Sequence, residues 1–331
     1  MSQLDFIRRS TDQVLSGRPL SEEAGLRLLS TEGPDLGDLM AAANRVRHHF
    51  KGDRVHLCAI INAKSGRCPE DCGFCVQSIH SKSQLKTHPI LSADELFEAA
   101  RAVQATGAHA VGIVTSGLTV SDLELDVICR TVARIRKELS IRPDASLGML
   151  DDWRARRLKE AGLCGYHHNV ETARSFFPKV CTTHSYDEHL ATLAVARKAG
   201  FHICSGGIFG LGETPDQQVE MAETLRQVSP DRVCLNFLMP IAGTRLAGAK
   251  SMRALEILRL IAVYRMMLPD KDINICAGRD LYLGQVQGMI FFAGANATMI
   301  GNYLTQPGRP ADLDLALLKS LELNVDPSGT S

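Results

Sequence analysis

Cys68, Cys72 and Cys75 fall in one short segment, Asn62-Ala-Lys-Ser-Gly-Arg-Cys68-Pro-Glu-Asp-Cys72-Gly-Phe-Cys75, with spacing C-x3-C-x2-C. The segment is rich in turn formers, so three thiolates there can converge on one compact metal centre. Structural zinc needs four closed ligands, and the nearest candidate for the fourth is His80. Three thiolates suit a [4Fe–4S] cube better, because they leave one iron open to a small molecule. A dithiol oxidoreductase reading of Cys72-Gly-Phe-Cys75 leaves Cys68 surplus, and no helix start follows the pair.

The chain has 331 residues, ten of them cysteine, with 37 basic and 37 acidic side chains and 45% apolar residues. That length predicts one large domain or two ordinary ones. A formal charge of zero argues against a general nucleic-acid or membrane-surface binder. No apolar window is long enough to span a bilayer, and the start MSQLDFIRRS lacks the layout of a signal peptide. The expectation is a cytoplasmic enzyme that binds neither nucleic acid nor membrane. A reducing compartment gives ten cysteines no role as disulfides, so they are core fillers, metal ligands or reactive thiols.

The elements that must position the cysteines are legible. Apolar residues at three- and four-residue steps predict helices over Leu4–Leu15, Ser21–Leu29 and Leu36–His49. Beyond Gly52, apolar runs predict eight strands: Val55–Ile61, Ala108–Thr115, Asp144–Met149, Gly165–Val170, His202–Ile208, Arg232–Leu238, Ile273–Cys276 and Ala295–Ile300. Between them, Ser92/Glu95, Ser121/Glu124, Ser185/Glu188 and Thr214/Gln217 have the spacing of capping boxes. Gly107, Gly162 and Gly200 are placed to end helices. Strands alternating with helices predict an α/β fold, a (β/α)8 TIM-type barrel, with a doubly wound open sheet as the competitor. The expected organisation is a helical extension over 1–50, a barrel over 51–310, and a C-terminal helix with a frayed tail over 311–331.

C-x3-C-x2-C after the first strand of such a barrel resembles the radical S-adenosylmethionine (SAM) superfamily. Tyr166-His167-His168-Asn169-Val-Glu171-Thr172, Thr182-Thr183-His184-Ser-Tyr186 and Ile203-Cys204-Ser-Gly206-Gly-Ile208-Phe-Gly210-Leu-Gly212-Glu213 resemble the biotin synthase family more narrowly. So do Pro240–Thr244, Ala277-Gly278-Arg279-Asp280, Ala293–Asn296 and Gly301–Thr305, in family order. The resemblance implies a [4Fe–4S] cluster on Cys68, Cys72 and Cys75 that chelates SAM. It implies a 5′-deoxyadenosyl radical that abstracts hydrogen from dethiobiotin, and insertion of sulfur from an auxiliary iron–sulfur cluster to form biotin. Phe74 then sits beside the adenine, Glu171 accepts from the ribose, and Gly206, Ile208, Gly210 and Gly212 line the adenosine. Asn169 and Asn236 face the ureido ring, His167 also contacts substrate, and Thr305 meets its carboxylate.

The sequence departs from the family pattern at the auxiliary centre. Familiar members hold a [2Fe–2S] cluster on three strand cysteines and an arginine. Here Cys204 and Arg279 match two of those positions, but the second strand lacks cysteine and the third offers Asp144. A [2Fe–2S] site of that type cannot be assembled. Leu57-Cys58-Ala-Ile-Ile-Asn62 and Val180-Cys181-Thr-Thr183-His184 instead resemble an anaerobe-associated subset with a larger cluster and an extra sulfide. The expected ligands are Cys58, Cys181 and Cys204, with Asp144 or Arg279 near the remaining iron. Cys129, Cys164 and Cys234 are read as fillers, and Cys276 is left outside the set. The resemblance further implies a homodimer and a reductant such as flavodoxin or ferredoxin. The same chemistry on another chain, lipoyl-synthase-like or as in a hydrogenase-maturation relative, stays open, as does a non-catalytic iron–sulfur or zinc protein.

Overall fold

The computed structural model describes residues 1–325, and the tail Asp326–Ser331, expected to fray, lies outside the described residues. All eight predicted strands form: β1 Arg54–Lys64, β2 Ala110–Thr115, β3 Arg142–Ser146, β4 Gly165–His167, β5 His202–Phe209, β6 Arg232–Phe237, β7 Asp272–Ile275 and β8 Ala297–Met299. Each runs parallel to the next, and β1 pairs with both β2 and β8, which closes the barrel and excludes the open sheet. A two-residue strand, β9 Asn324–Val325, adds to the start of β1.

Most strand ends shift by one to three residues from the sequence reading, and the shifts at β3 and β4 have a physical reason. β3 starts at Arg142 rather than Asp144, because Pro143 and the charged residues around it conceal a strand whose ladder runs Ala110↔Arg142 to Val114↔Ser146. β4 ends at His167, yet the chain stays beside β5 through His168 N–H to Cys204 O (2.9 Å) and Val170 N–H to Gly206 O (2.9 Å).

The four predicted capping boxes form at the starts of the helices Ala93–Ala105, Asp122–Glu138, Tyr186–Lys198 and Pro215–Val228. Each satisfies two orphan donors reciprocally and fixes where a barrel loop hands over to its helix. The helix Ala254–Met267 is apolar nearly all round, with every residue from Ile257 to Met267 buried except Arg259. Such a helix needs cover on both sides. The barrel supplies one side, and the N-terminal helices Gln3–Leu15, Glu22–Leu29 and Asp35–Lys51 supply the other. Arg259 donates to Thr31 O (2.9 Å) and Arg226 to Leu20 O (2.8 Å), tying that layer down. No described helix is long and apolar enough to cross a membrane.

The C-terminal helix Ala311–Ser320 is anchored by a buried ion pair. Arg279 donates to Asp314 Oδ1 and Oδ2 at 2.8 and 2.7 Å and to Gln287 Oε1 at 2.7 Å, while Arg309 Nε lies 3.2 Å from Asp314. Removing one partner of such a pair strands the other charge. Asp314→Ala is therefore expected to cost about 3–5 kcal/mol in a urea titration, with the helix 311–320 losing amide-exchange protection first.

Candidate active site and cysteine chamber

The loop after β1 carries Cys68, Cys72 and Cys75 over the C-terminal end of the barrel, where TIM-type enzymes place their chemistry. Its backbone is held by Cys68 N–H to Gln77 O (3.0 Å), Ile79 N–H to Cys68 O (2.8 Å) and Gly73 N–H to Val180 O (2.8 Å). All three thiols are half-buried and free. Burial raises Cys68 and pushes Cys75 up to about 11, while Cys72 is raised chiefly because it donates to Cys181. Neutral thiols gathered in this way ionise when a metal supplies the opposing charge, so the donor set fits an iron–sulfur cluster. Phe74 is half-buried and packs against the core.

Glu171 lies near enough to this loop for its charge to act on Cys72 and Cys75. Its backbone is left-handed (φ +67°), an uncommon state for a side chain of its size. The strain is imposed by β5: Ile208 N–H donates to Glu171 O (2.8 Å), and any Cβ on Gly207 would strike that same carbonyl. Burial pushes the Glu171 carboxyl up to about 7. Asn169 Nδ2 donates to it weakly (3.4 Å), and Asn169 Oδ1 is buried with no partner. A strained acid and an unpaired amide oxygen side by side mark a place built for a polar ligand. Gly210 (φ +85°) and Gly212 (φ +109°) turn the chain after β5, with Ile208 partly buried before them. Gly206 is required for another reason, since a Cβ there would overlap the Cys234 carbonyl. Asn236 is held by backbone on both sides, Nδ2 donating to Gly207 O (3.1 Å) and Oδ1 accepting from Ala277 N–H (3.2 Å). Thr305 is half-buried in the loop after β8, where Asn62 Nδ2 holds Leu304 O at 2.9 Å.

Deeper in the barrel, four cysteines meet. Cys204, Cys234 and Cys276 are buried in one cluster with Met299 and Tyr303, and Cys58 packs against it. Cys204 Sγ lies 3.0 Å from Cys234 Sγ, and Asn274 Nδ2 lies 3.5 Å from Cys58 Sγ and 3.4 Å from Cys234 Sγ. His167 Nδ1 is 3.9 Å from Cys234 Sγ, and His167, Cys204 and Cys234 are close enough to share a metal ion. Burial raises the Cys58 thiol, and donation to Cys234 together with burial raises Cys204. A TIM barrel ordinarily fills this space with branched aliphatic residues. Here it is lined with sulfur, imidazole and amide, a donor set suited to an iron–sulfur centre.

Residues 63–225 match the radical SAM superfamily, and residues 234–324 match the Biotin and Thiamin Synthesis associated domain. A biotin synthase of Geobacter sulfurreducens is 52% identical over 323 residues, covering 97% of this chain and 98% of that protein. One from Geobacter metallireducens is 52% identical over 314 residues, covering 95% of each. The chain belongs to the biotin synthase family. Among solved structures, methylornithine synthase (PylB) superposes with a TM-score of 0.83 at 21% identity, covering 96% of this chain and 97% of that one. The [FeFe]-hydrogenase maturase HydG gives a TM-score of 0.81 at 17% identity, covering 96% of this chain and 74% of that one. At those identities the likeness is one of fold.

Within this biotin synthase family member, the structure corrects several sequence expectations. Cys181 does not reach Cys58 and Cys204. The loop after β4 folds outward, placing Cys181 Sγ 3.7 Å from Cys72 Sγ, 3.2 Å from Asp71 Oδ1 and 3.4 Å from His184 Nδ1. His184 Nδ1 in turn lies 2.5 Å from Glu70 Oε2, and Thr182 Oγ1 donates to Asp71 Oδ2 at 2.6 Å. The group therefore latches two loops at the barrel mouth. Arg279 is held at the chamber's edge: its guanidinium is occupied by Asp314 and Gln287, and its one contact with the chamber cluster is a long one to Met299 O (3.4 Å). Asp144 is bound by Arg142 at 3.1 and 2.9 Å, and its charge acts on Cys58 and His167, so it stays near the chamber. His167 belongs with the chamber cysteines rather than the barrel mouth. Cys234, read as a filler, and Cys276, left aside, line the chamber, whereas Cys129 and Cys164 bond only backbone carbonyls outside it. Alternation along β6 and β7 could have found them: Arg232, Cys234 and Asn236, like Asn274 and Cys276, sit at two-residue steps that share one face.

The strain at Glu171 gives opposing expectations for stability and binding. Glu171→Gly removes both the left-handed penalty and a buried acid, so thermal unfolding should show a gain of about 1 kcal/mol. The same substitution should weaken SAM binding, measured by equilibrium dialysis, at least tenfold (about 1.4 kcal/mol).

Proposed function

We propose that this chain inserts sulfur into dethiobiotin to form biotin, with Cys68, Cys72 and Cys75 holding a [4Fe–4S] cluster and Cys58, Cys204 and Cys234 holding the sulfur-donating centre. The observation that carries the reading is the pair of sulfur-rich sites in one barrel, one at its mouth and one in its interior, in a member of the biotin synthase family. When bound, the mouth cluster and SAM supply the 5′-deoxyadenosyl radical, and the interior centre, a four-iron cluster with an extra sulfide, supplies the sulfur.

The chain's own residues do the positioning. Asn169 and Glu171 present an amide and a carboxyl from one turn, so the ribose of SAM and the ureido ring of dethiobiotin are fixed relative to each other. Phe74, Ile208, Gly210 and Gly212 give the adenosine an apolar, close-fitting wall. Thr305 takes the substrate carboxylate at the far side of the mouth. Substrate spans the space between the mouth and the chamber, which keeps a reactive radical near only the bonds it should attack. Cys276 supplies a fourth thiol beside the chamber ligands, and His167 and Asn274 donate toward its sulfur atoms. A homodimer, a flavodoxin- or ferredoxin-type reductant and a cytoplasmic setting complete the proposal, with the helical extension 1–50 acting as the barrel's outer brace.

Anaerobic preparation should give about eight iron atoms per chain, falling to about four in a Cys58/Cys204/Cys234→Ser triple variant. Cys181→Ala should keep all eight, because Cys181 is outside both sets. Reduced protein with SAM should release 5′-deoxyadenosine faster when dethiobiotin is added, with biotin detected by mass. No acceleration by dethiobiotin, or acceleration by an octanoyl peptide instead, overturns the substrate assignment.

A further inference from the structure

Arg232, Arg265 and Arg279 are almost fully buried; Arg265 is saturated with partners, and Arg279 has an acid bound by both of its terminal nitrogens. Arg265 donates to Gly294 O, Pro269 O, Lys271 O and Asn296 Oδ1, all at 2.7–2.9 Å. Arg279 has Asp314, Gln287 and Met299 O. Arg232 is different. It is 2% exposed, its Nε and Nη2 make no hydrogen bond, and its nearest acid is Asp272 Oδ2 at 3.5 Å.

Nor does the local charge balance. Asp144 is matched by Arg142 at 3.1 and 2.9 Å. Asp272 is shared: its Oδ1 takes Lys51 Nζ at 2.9 Å and Asn296 Nδ2 at 2.7 Å, and only its Oδ2 is left to face Arg232, so two cations divide one carboxylate. Arg232 is thus a buried positive charge in excess of its acids, which is costly unless an anion joins it. His56 (4% exposed) and His202 (half-buried) flank it, and both ring nitrogens of each lack a partner.

The position of this group narrows what the anion is. Arg232 and His202 are the first residues of β6 and β5, and His56 lies near the start of β1, so together they floor the barrel at its N-terminal end. Cys58, Cys204 and Cys234 stand two residues further along those same strands. The floor therefore opens on the chamber from the side opposite SAM and substrate. The geometry points to an anion site at Arg232, His56 and His202 that binds hydrosulfide and admits it to the cysteine chamber, a site that rests on the reading of that chamber as the sulfur-donating centre. Hydrosulfide is small, singly charged and soft, so it suits both a cation with spare donors and a sulfur-lined space. Exchange is ligand substitution at iron. One hydrosulfide enters and hands its proton to the sulfide that leaves, and no electrons are transferred.

The test titrates radiolabelled sodium hydrosulfide into anaerobically purified, iron-loaded, full-length protein and counts label after desalting. Arg232→Leu is expected to raise the half-saturating concentration roughly tenfold, with Arg232→Lys close to wild type and iron content equal in all three. His202→Asp provides an independent arm, since a carboxylate beside Arg232 competes with the entering anion, and it should also weaken uptake several-fold. Iron at about four atoms per chain in wild type overturns the reading of the chamber, and the floor site with it. Iron at about eight, with His202→Asp and wild type saturating at the same concentration, overturns the floor site alone.

Discussion

The structure depends on β1 more than on any other element. It is hydrogen-bonded on both edges, to β8 through His56↔Ala297 and to β2 through Cys58↔Ala110 and onward, so it is the strand at which the barrel closes. The same eleven residues carry Cys58 into the interior and deliver the chain to the Cys68–Cys75 loop at the mouth. A register shift between Asn62 and Lys64 bends the strand just before that loop. Slipping β1 by one residue would turn Cys58 outward and misplace the cluster loop in the same movement. The two sulfur sites are therefore held at a fixed separation by one strand, which a reaction passing from one to the other requires.

The fold was legible because its local signals agree. Each capping box predicted from a hydroxyl and an acid or amide three residues on is present, and apolar runs located every strand. The mouth loop was legible for the same reason, since its three cysteines are neighbours in sequence. The chamber was only half legible. Its members come from β1, β5, β6 and β7, so nothing local joins them. Cys181 was misplaced because a loop residue carries no periodicity to say which way it faces. Arg279 was misplaced because its partner, Asp314, is 35 residues away on a helix whose docking no local pattern encodes.

A barrel that lines its interior with cysteine, histidine and asparagine loses the aliphatic filling that usually stabilises this fold. The apolar residues of the strands, such as Leu57, Ile113, Ile203, Val233 and Ile273, are fully buried on the outer face instead, beneath the helices. Stability thus moves from inside the barrel to the layer around it. That shift explains the length of apolar cover: the helix 254–267 is buried on both sides, the N-terminal helices close over it, and Arg279 fastens the C-terminal helix. The interior is then free to keep neutral thiols, an arginine with two nitrogens lacking hydrogen bonds and two imidazoles without nitrogen partners, groups that a structural core would exclude and that binding an anionic sulfur centre would satisfy.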